Sequence, residues 1–442
     1  MPYSCDMLDR SAYLDTMKTT GNEFRVKLLA GIRHSGKSFL FYQFISELRQ
    51  AGIDDDRIIH LNFENTVFGA PRTAREIEAF IDKNTGKRGK YYIFFDEIQA
   101  VSGWEKAVSA LLQRRKFDIY ISTSNAPVSF GGNDAAREKK IFLINFKPLS
   151  FAEYKKFFAP EARPGCGLLN KAMAIKNSKC DHFDNYVRFG GFPAVYSGLY
   201  ETYAGLSCIG DEEIETINSR LNAIYSSILL NDVIRRANIR NVELLEHIIN
   251  IIFLNIGKEN STQKITENLR KKRYKKNLSL VPQYLKALEN AFVLKKVYRC
   301  NLLTGKRMRT NITYFIGDHA LLNAVMGIRD KAACGIPENI LLHDLERRGY
   351  AVYSAKLGGN IVDFFAKRAD TFLFLQIVDR TDDDENILKQ KIETLNLLNN
   401  MKMFSSQKKY VLFLDADARF KQEDGGINYV SLQNFLLFSN DI

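Results

Sequence analysis

The stretch Gly31-Ile32-Arg33-His34-Ser35-Gly36-Lys37-Ser38 decides the fold of this chain. It matches Gly-x-x-x-x-Gly-Lys-Ser at every fixed position, follows the apolar run Val26–Ala30 and precedes an apolar-periodic helix. A strand, a glycine-containing turn and a helix start are the context in which backbone N–H groups converge on an anion. The stretch therefore predicts a phosphate-binding loop in preference to an ordinary turn.

The fixed positions of this loop each have a chemical reason. Gly31 and Gly36 allow a backbone path that a Cβ would obstruct, Lys37 supplies a charge for the β and γ phosphates, and the Ser38 hydroxyl can ligate Mg²⁺. The predicted nucleotide-binding residues are Gly31, Ile32, Arg33, His34, Ser35, Gly36, Lys37, Ser38 and Phe39. Lys37 is predicted to act in catalysis as well.

Two acids follow a second apolar run, 91–95, which makes this segment a candidate Walker B element. The C-terminal end of a strand buried on both faces reaches the ligand crevice, so Asp96 can orient the Mg²⁺ shell and Glu97 can polarise the attacking water. In isolation such a pair is often a solvated turn, but sixty residues after a phosphate loop the catalytic interpretation is preferred. Ser38 and Asp96 are the predicted metal residues, and Mg²⁺ with ATP is the predicted cofactor pair.

A polar stretch, Ser122-Thr123-Ser124-Asn125, ends the next predicted strand. Asn125 is the candidate catalytic sensor that positions the water or contacts the γ phosphate; the alternative is an Asn that starts a turn. Predicted strands and helices alternate from Phe24 to Asn145, which indicates an α/β fold with a doubly wound parallel sheet.

Composition limits what else the chain can be. Its 442 residues are 45% hydrophobic and 26% charged, without an apolar run of 18 residues, so we expect a cytoplasmic, multidomain globular protein with reduced cysteines. The net charge of +12 is concentrated: residues 232–309 hold 18 Lys and Arg against 6 Asp and Glu. Such a basic segment attracts polyanions, so DNA is a possible partner.

The order of these motifs resembles the bacterial and archaeal AAA-superfamily ATPases that carry a C-terminal domain of unknown function. The resemblance spans nearly the whole chain. It rests on GIRHSGKS, IFFDEIQAVSGWEKAV, ISTSNA and the segment 146–154, followed by the stretches 189–193, 231–236, 256–257, 284–289 and 338–340. The resemblance implies an ATP-binding protein with an AAA-type core, a winged-helix module and a nuclease-like C-terminal fold.

The chain departs from that family at two places. Members usually carry a Gly-Arg pair before Pro-Leu-Ser-Phe, where this chain has Lys139-Lys140. The arginine fork is missing there, so Arg137, Arg235 and Arg236 are the alternative arginine fingers. The family's loop also commonly reads Arg-Arg in place of Arg33-His34, a position expected at the rim and of little weight.

The middle of the chain predicts helices and a winged-helix pattern. Ser261 is expected to cap a helix to about Leu269, and Ser279 to cap a second helix to Ala291. The basic run 270–276 lies between these helices, and two strands, 292–300 and 308–316, would form the wing. Two interpretations of this module are open. In the first it binds DNA; in the second it contacts a protein partner and its lysines form a solvated surface.

The C-terminal part resembles a restriction-endonuclease-like fold. Asp363 stands where such a site needs a metal ligand, but Gln376-Ile377-Val378 replaces Glu-x-Lys, so both the second carboxylate and the ammonium are missing. We expect no nuclease activity.

These predictions divide the chain into five parts: a lead-in (1–23), the AAA core (24–160), a helical lid or linker (161–240), the winged-helix module (241–330) and an inactive nuclease-like α/β domain (331–442). The expected function is a Mg²⁺-dependent ATPase acting as a switch or remodelling factor. The alternatives are an ATP-regulated DNA-binding or nuclease-related protein and an ATP-binding module without turnover. Oligomeric state is left open.

Overall fold

The computed structural model describes residues 10–19, 26–64, 71–86, 89–126, 141–158, 182–196, 211–274, 277–327, 335–378, 385–414 and 423–437. Within these ranges the strands form two sheets, one of five strands and one of eight. In the same ranges no helix has both the length and the apolar character to span a membrane.

The first sheet carries the phosphate loop. Its strands are β1 (Val26–Ala30), β2 (Ile58–Asn62), β3 (Tyr91–Asp96), β4 (Phe117–Thr123) and β5 (Ile141–Asn145). They lie in the order β2-β3-β4-β1-β5, and every neighbouring pair is parallel. The helices of this part are α1 (Ser11–Thr19), α2 (Lys37–Gln50), α3 (Ala74–Asn84) and α4 (Trp104–Gln113).

Helices cover both faces of this sheet. Ile93 and Phe95 of β3 pack in a core with α3 and α4, whereas Phe94 packs in a second core with α1 and α2. This arrangement explains why β3 is a continuous apolar run, because a strand in the middle of a parallel sheet has no solvated face. The predicted doubly wound parallel fold is confirmed.

The middle region is helical. Its helices are α5 (Phe151–Phe157), α6 (His182–Phe189), α7 (Asp211–Ile228), a π-helix (Leu229–Ile234) with the helical turn Arg235–Ala237, α8 (Val242–Phe253), α9 (Thr262–Lys271) and α10 (Val281–Asn290). The Ser261 hydroxyl accepts a hydrogen bond of 3.1 Å from the backbone N–H of Lys264, as its predicted capping role requires.

The prediction that Ser279 caps the next helix is wrong. Residues Leu278–Leu280 form a 3₁₀ turn, and α10 begins two residues later, at Val281, with Pro282 in its first turn and no side-chain cap. Pro282 fits there because a helix leaves its first N–H groups without intrahelical partners, so a residue that lacks an N–H costs nothing.

The second sheet joins the predicted wing to the C-terminal part. Its strands are β6 (Leu294–Asn301), β7 (Lys306–Ile316), β8 (Ala351–Leu357), β9 (Asn360–Arg368), β10 (Thr371–Val378), β11 (Lys408–Phe413), β12 (Glu423–Asp424) and β13 (Ile427–Ser431). Their order is β12-β13-β11-β10-β9-β8-β6-β7. The β6–β7 hairpin is attached through parallel pairing of Arg299–Asn301 with Ser354–Lys356.

Four helices remain. The helix α11 (Ala320–Met326) packs on α6 and α7, and α12 (Ile336–Arg347), α13 (Glu385–Asn399) and α14 (Leu432–Leu437) pack on this sheet. One apolar core runs from α5 through the middle helices to β10 and β11, and it includes Ile32 of the phosphate loop. The loop is therefore packed against the middle and C-terminal regions as well as against its own sheet.

Candidate functional site

The phosphate loop connects β1 to α2, and its two fixed glycines are required for different reasons. A Cβ at Gly31 would overlap with the backbone carbonyl of Phe146. Gly36 has a φ of +100°, in the left-handed region that residues with a side chain avoid. Both positions thus exclude a side chain, as the sequence pattern predicted.

Lys37 is folded back over the loop. Its buried ammonium donates to the carbonyl oxygens of Gly31, at 3.0 Å, and Ile32, at 3.1 Å, and lies 3.1 Å from Glu97 Oε1. The hydroxyl of Ser35 is buried and has no hydrogen-bond partner within the described residues. A buried donor without a partner is costly, so this loop fits an anion that would accept from Ser35 and Lys37.

Asp96 ends β3 at the centre of a hydrogen-bonded cluster. Its carboxylate accepts from the Ser122 hydroxyl and from Asn62 Nδ2 at 3.2 Å, and Ser38 is a further hydrogen-bond partner. Burial and then the charge of Glu97 raise the pKa of Asp96. A carboxylate that burial makes difficult to ionise is stabilised by a divalent cation, and carboxylate and hydroxyl oxygens are ligands that Mg²⁺ accepts. Asp96 and Ser38 therefore fit the predicted metal pair.

Glu97 has the opposite electrostatics. Burial alone would raise its pKa, but the charge of Lys37 together with Gln99, Arg33 and Ser124 outweighs burial and lowers the pKa to about 2. The residue has a φ of 53°, and its N–H donates to Ser122 Oγ at 2.9 Å. Its carboxylate is shared between Lys37 and the Gln99 side chain. Glu97 is thus held ionised, as a general base must be.

The segment after β4 lies at the same site. Gln99 Nε2, which also contacts Glu97, donates to Ser124 Oγ at 2.8 Å. Asn125 is buried, and its backbone is fixed by two hydrogen bonds of 3.1 Å with the hydroxyl of Thr123. This brings Asn125 to the edge where Asp96 and Glu97 lie; its predicted sensor role stays a prediction.

Arg33 lies inside the site, so of the pair Arg33-His34 only His34, the residue that departs from the family, is at the rim. The Arg33 side chain is only 13% exposed, and its Nε and Nη2 donate to the two carboxylate oxygens of Asp232 at 2.6 and 2.9 Å. Its Nη1 pairs with Glu64. His34 is at the surface, with Nε2 3.2 Å from Ser227 Oγ.

Several residues of the site were missed by the sequence reasoning. Ser122, Ser124 and Gln99 stand inside or beside stretches that were quoted for other residues, and Asp232 stands inside the 231–236 motif. The sequence shows that these residues are polar. It does not show that Asp232 pairs with Ser124, 108 residues away, and with Arg33, 199 residues away. Of the alternative arginine fingers, Arg137 lies outside the described residues, as do Lys139 and Lys140, which replace the family's Gly-Arg pair.

The chain is similar in sequence to known proteins. Residues 23–155 match a family described as an AAA domain, and residues 180–332 match a domain of unknown function. An uncharacterized protein of Haemophilus influenzae is 31% identical over 391 residues, which make up 87% of this chain and 91% of that protein. The chain belongs to the AAA-type P-loop ATPase family. A second relative of this AAA-type chain, an uncharacterized protein of Methanocaldococcus jannaschii, is 24% identical over 331 residues, or 74% of the chain and 67% of the relative.

Solved structures resemble the AAA-type chain more distantly. A Walker-type ATPase of Pyrococcus abyssi has a TM-score of 0.48 and 14% identity, covering 73% of this chain and 97% of its own. AMPPCP-bound DnaA from Aquifex aeolicus has a TM-score of 0.30 and 13% identity, covering 64% of this chain and 88% of its own.

The residues expected at a nuclease-like site of the AAA-type chain lie in a separate cluster. Gln376 is buried; its Oε1 accepts from the backbone N–H of Asp363 at 3.2 Å, and its Nε2 donates to the carbonyl of Ile361 at 3.0 Å. The expectation that the replacement by Val378 leaves no ammonium here is wrong, because Lys391 from α13 places its Nζ 3.3 Å from Asp363 Oδ2. The described residues contain no group of three or more His, Cys, Asp or Glu side chains able to hold a metal.

Some basic side chains of the segment 232–309 are neutralised by neighbouring acids. Five of its basic side chains pair with acids: Lys264 and Arg299 with Glu259, Lys286 and Lys296 with Glu289, and Lys295 with Glu346. In the part of the segment that the structure describes, the turn Arg270–Arg273, which begins with the last two residues of α9, is exposed and has no acidic partner. Other exposed basic residues of the segment, such as Arg240 and Lys258, also lack one there, but this turn places four basic residues in a row.

Proposed function

We propose that the chain hydrolyses ATP with Mg²⁺ at the phosphate loop and that the nucleotide state shifts the middle helices and the β6–β7 hairpin, as in a molecular switch or remodelling factor. The observation that carries this proposal is the convergence of four side chains in one buried cluster. Lys37 contacts Glu97, and Ser38 contacts Asp96.

The four side chains divide the chemistry among them. Lys37 and the loop N–H groups would hold the β and γ phosphates, and Ser38 and Asp96 would hold Mg²⁺, which supplies charge for the phosphate oxygens. Glu97, kept ionised by Lys37, would accept a proton from the attacking water. Phosphate oxygens compete for the Lys37 ammonium, so binding would free the Glu97 carboxylate for that task.

Direct contacts support a link from this site to the rest of the chain. The backbone N–H of Ala126, next to Asn125, donates to the carbonyl of Asn290 at the end of α10, at 2.6 Å. A Cβ at Gly36 would lie 3.7 Å from Pro193, and Gly191, two residues before that proline, donates to Asp318 after β7 at 3.0 Å. The loop after β4 therefore contacts the end of α10, which precedes the hairpin, and the phosphate loop lies beside the segment 191–193, which contacts the residue Asp318 after β7.

The test compares Glu97→Gln with wild type. We expect wild type to hydrolyse ATP and Glu97→Gln to bind ATP with little turnover, because the amide cannot accept the proton; loss of the base lowers kcat by about 10²–10⁴-fold. Glu105→Gln on α4 is the matched control and should keep its activity. Zero turnover by wild type, with ATP still bound, would instead identify a binding module without hydrolysis.

DNA binding is a second candidate function, and the exposed turn Arg270–Arg273 favours it. The turn lies between α9 and α10, where a helix-turn-helix module places residues near phosphates. The binding would be sequence-independent, since Lys286 is the one basic residue of α10 and pairs with Glu289.

A further inference from the structure

A cavity lies where the AAA core, the β6–β7 hairpin and the C-terminal part meet. Its volume is about 400 Å³, and small-molecule sites have volumes of about 300–1,000 Å³. Its walls are residues 30–32 and 145–148 of the AAA core, the base of the hairpin, the end of α12 and the start of β8. Lys37, Ser38, Asp96 and Glu97 do not line it. This junction cavity is therefore distinct from the phosphate site.

Two ammonium groups share one carboxylate at the junction cavity. Lys147 Nζ pairs with Glu346 Oε2, and Lys295 Nζ lies 2.6 Å from Glu346 Oε1. Lys147 Nζ also lies 3.0 Å from His343 Nδ1. Because an ammonium can only donate, Nδ1 accepts, so the neutral ring donates from Nε2 to the carbonyl of Ile316 at 2.7 Å. Among the described residues, the charged side chains that line the cavity therefore sum to one positive charge.

The positive charge at Lys147 is incompletely compensated. Its side chain is 12% exposed, and burial lowers its pKa to about 8 although Glu346 favours the charged form. Of the three N–H groups of an ammonium, Lys147 uses two within the described residues, with His343 and Glu346, and Lys295 uses one. Three N–H donors thus remain for an acceptor, and both oxygens of Glu346 are already paired.

The rest of the lining is mainly apolar. It includes Ile32, Pro148, Phe292, Leu294 and Tyr350. A site of this composition fits a ligand with an apolar body whose orientation is fixed by a few charged groups. A single carboxylate balances one positive charge, whereas a phosphate monoester carries about 1.5–2 negative charges at pH 7.

We propose that the junction cavity binds a small organic monocarboxylic acid, with the carboxylate at Lys147 and Lys295 and the apolar body against Phe292 and Leu294. Such a ligand would contact the AAA core, the hairpin and α12 together, and so link these three parts. The inference does not depend on the proposed ATP hydrolysis.

The experiment measures binding to the full chain by isothermal titration calorimetry. The probes are 2-naphthoate, an aromatic monocarboxylate, and 2-naphthamide, which has nearly the same shape without the charge. The variants are Lys147→Met, Lys295→Met and Ala351→Trp, which narrows the cavity from an exposed position at the start of β8. Lys155→Met, a change in an exposed lysine of α5, is the matched control. Circular dichroism establishes that each variant is folded.

We expect wild type and the control to bind 2-naphthoate about ten-fold or more tightly than 2-naphthamide, because only the carboxylate forms charge-assisted hydrogen bonds with both lysines. Lys147→Met should weaken 2-naphthoate binding by about 10–100-fold, the effect of losing a buried hydrogen bond between charged groups. Lys295→Met should weaken it by about 2–5-fold, since that side chain is 45% exposed. Ala351→Trp should weaken both probes.

Equal affinity of wild type for the two probes would overturn the inference, as would no measurable binding of 2-naphthoate at millimolar concentration. Binding that Ala351→Trp leaves unchanged but Lys37→Ala abolishes would place the acid at the phosphate loop, with the same result. Tighter binding of 2-naphthyl phosphate than of 2-naphthoate would overturn the assignment of a carboxylate. If Lys147→Met does not fold, Lys295→Met and Ala351→Trp decide: wild-type affinity of both for 2-naphthoate would overturn the inference.

Discussion

At the scale of single residues, Asp96 and Glu97 at the end of β3 have pKa values shifted in opposite directions, and their ionised forms therefore have opposite effects on stability. Lys37 lowers the pKa of Glu97 to about 2, so the ionised carboxylate stabilises the fold above the ordinary pKa and this contribution is lost as pH falls toward 2. Burial raises the pKa of Asp96, so its ionisation destabilises the fold as pH rises through that raised pKa. The ionised Asp96 therefore lowers the free energy of unfolding at pH values above its raised pKa.

Asp96→Asn should therefore stabilise the nucleotide-free protein at pH 7, by about 0.5–2 kcal/mol, a usual gain when a functional residue that is unfavourable for folding is replaced. The gain should shrink as pH is lowered and Asp96 takes up a proton. Urea unfolding at pH 7 and pH 5 measures it.

The same variant separates stability from metal binding. Mg²⁺-ATP should raise the melting temperature of wild type much more than that of Asp96→Asn, because a ligand stabilises only the state that binds it. Asp15→Asn, a change in an exposed acid of α1, is the control. Equal stabilisation of both by Mg²⁺-ATP would remove Asp96 from the metal site.

The residues of the site divide into those with a local signature in the sequence and those without. Lys37, Ser38, Asp96 and Glu97 were predictable because each stands at a fixed offset from a strand that the apolar pattern reveals. Arg33 and Asp232 were not, since their partnership joins two segments whose approach depends on the folded middle region. One sequence contains no record of such an approach.

At the scale of elements, β1 was predicted to the residue, because the run Val26–Ala30 ends at the first glycine of the phosphate loop. The start of α10 was predicted wrongly. Ser279 and Pro282 are both residues that favour the start of a helix, and the helix begins next to Pro282. The placement of β6 and β7 in the second sheet could not be foreseen, because strand pairing is decided by tertiary contacts.

The turn Arg270–Arg273 gives a prediction at this scale. If DNA is the partner, replacing Lys271, Lys272 and Arg273 together by Ala should weaken duplex binding uniformly across sequences. It should also reduce the dependence of log K on log salt by about 2–3, because each phosphate that the variant no longer neutralises accounts for about one unit of that slope. Fluorescence anisotropy at two salt concentrations measures both effects.

The matched control is Lys264→Ala with Lys296→Ala, because both lysines pair with acids. Two results would contradict DNA binding by this turn: an affinity that does not depend on salt, or a triple variant with wild-type affinity. The turn would then be a solvated surface.

At the scale of the whole molecule, the hydrogen bond from Ala126 to Asn290 joins the loop after β4 to the helix that precedes the hairpin. Ala126→Pro removes the donating N–H. We expect ATP to change hydrogen exchange in β6 and β7 of wild type, and the variant to bind ATP while showing less than half of that change. Ala126→Gly keeps the N–H and is the control. An identical response in both variants would place the coupling elsewhere.

The β6–β7 hairpin also decides how the chain can be cut. Because β6 pairs with β8, removing everything after residue 330 would not release a compact two-part ATPase. It would uncover the backbone donors and acceptors along one side of β6, including those of Arg299–Asn301, and uncovered strands recruit other chains. A shortened protein should therefore self-associate, and a protease that cuts within 328–334 should leave two fragments that stay together.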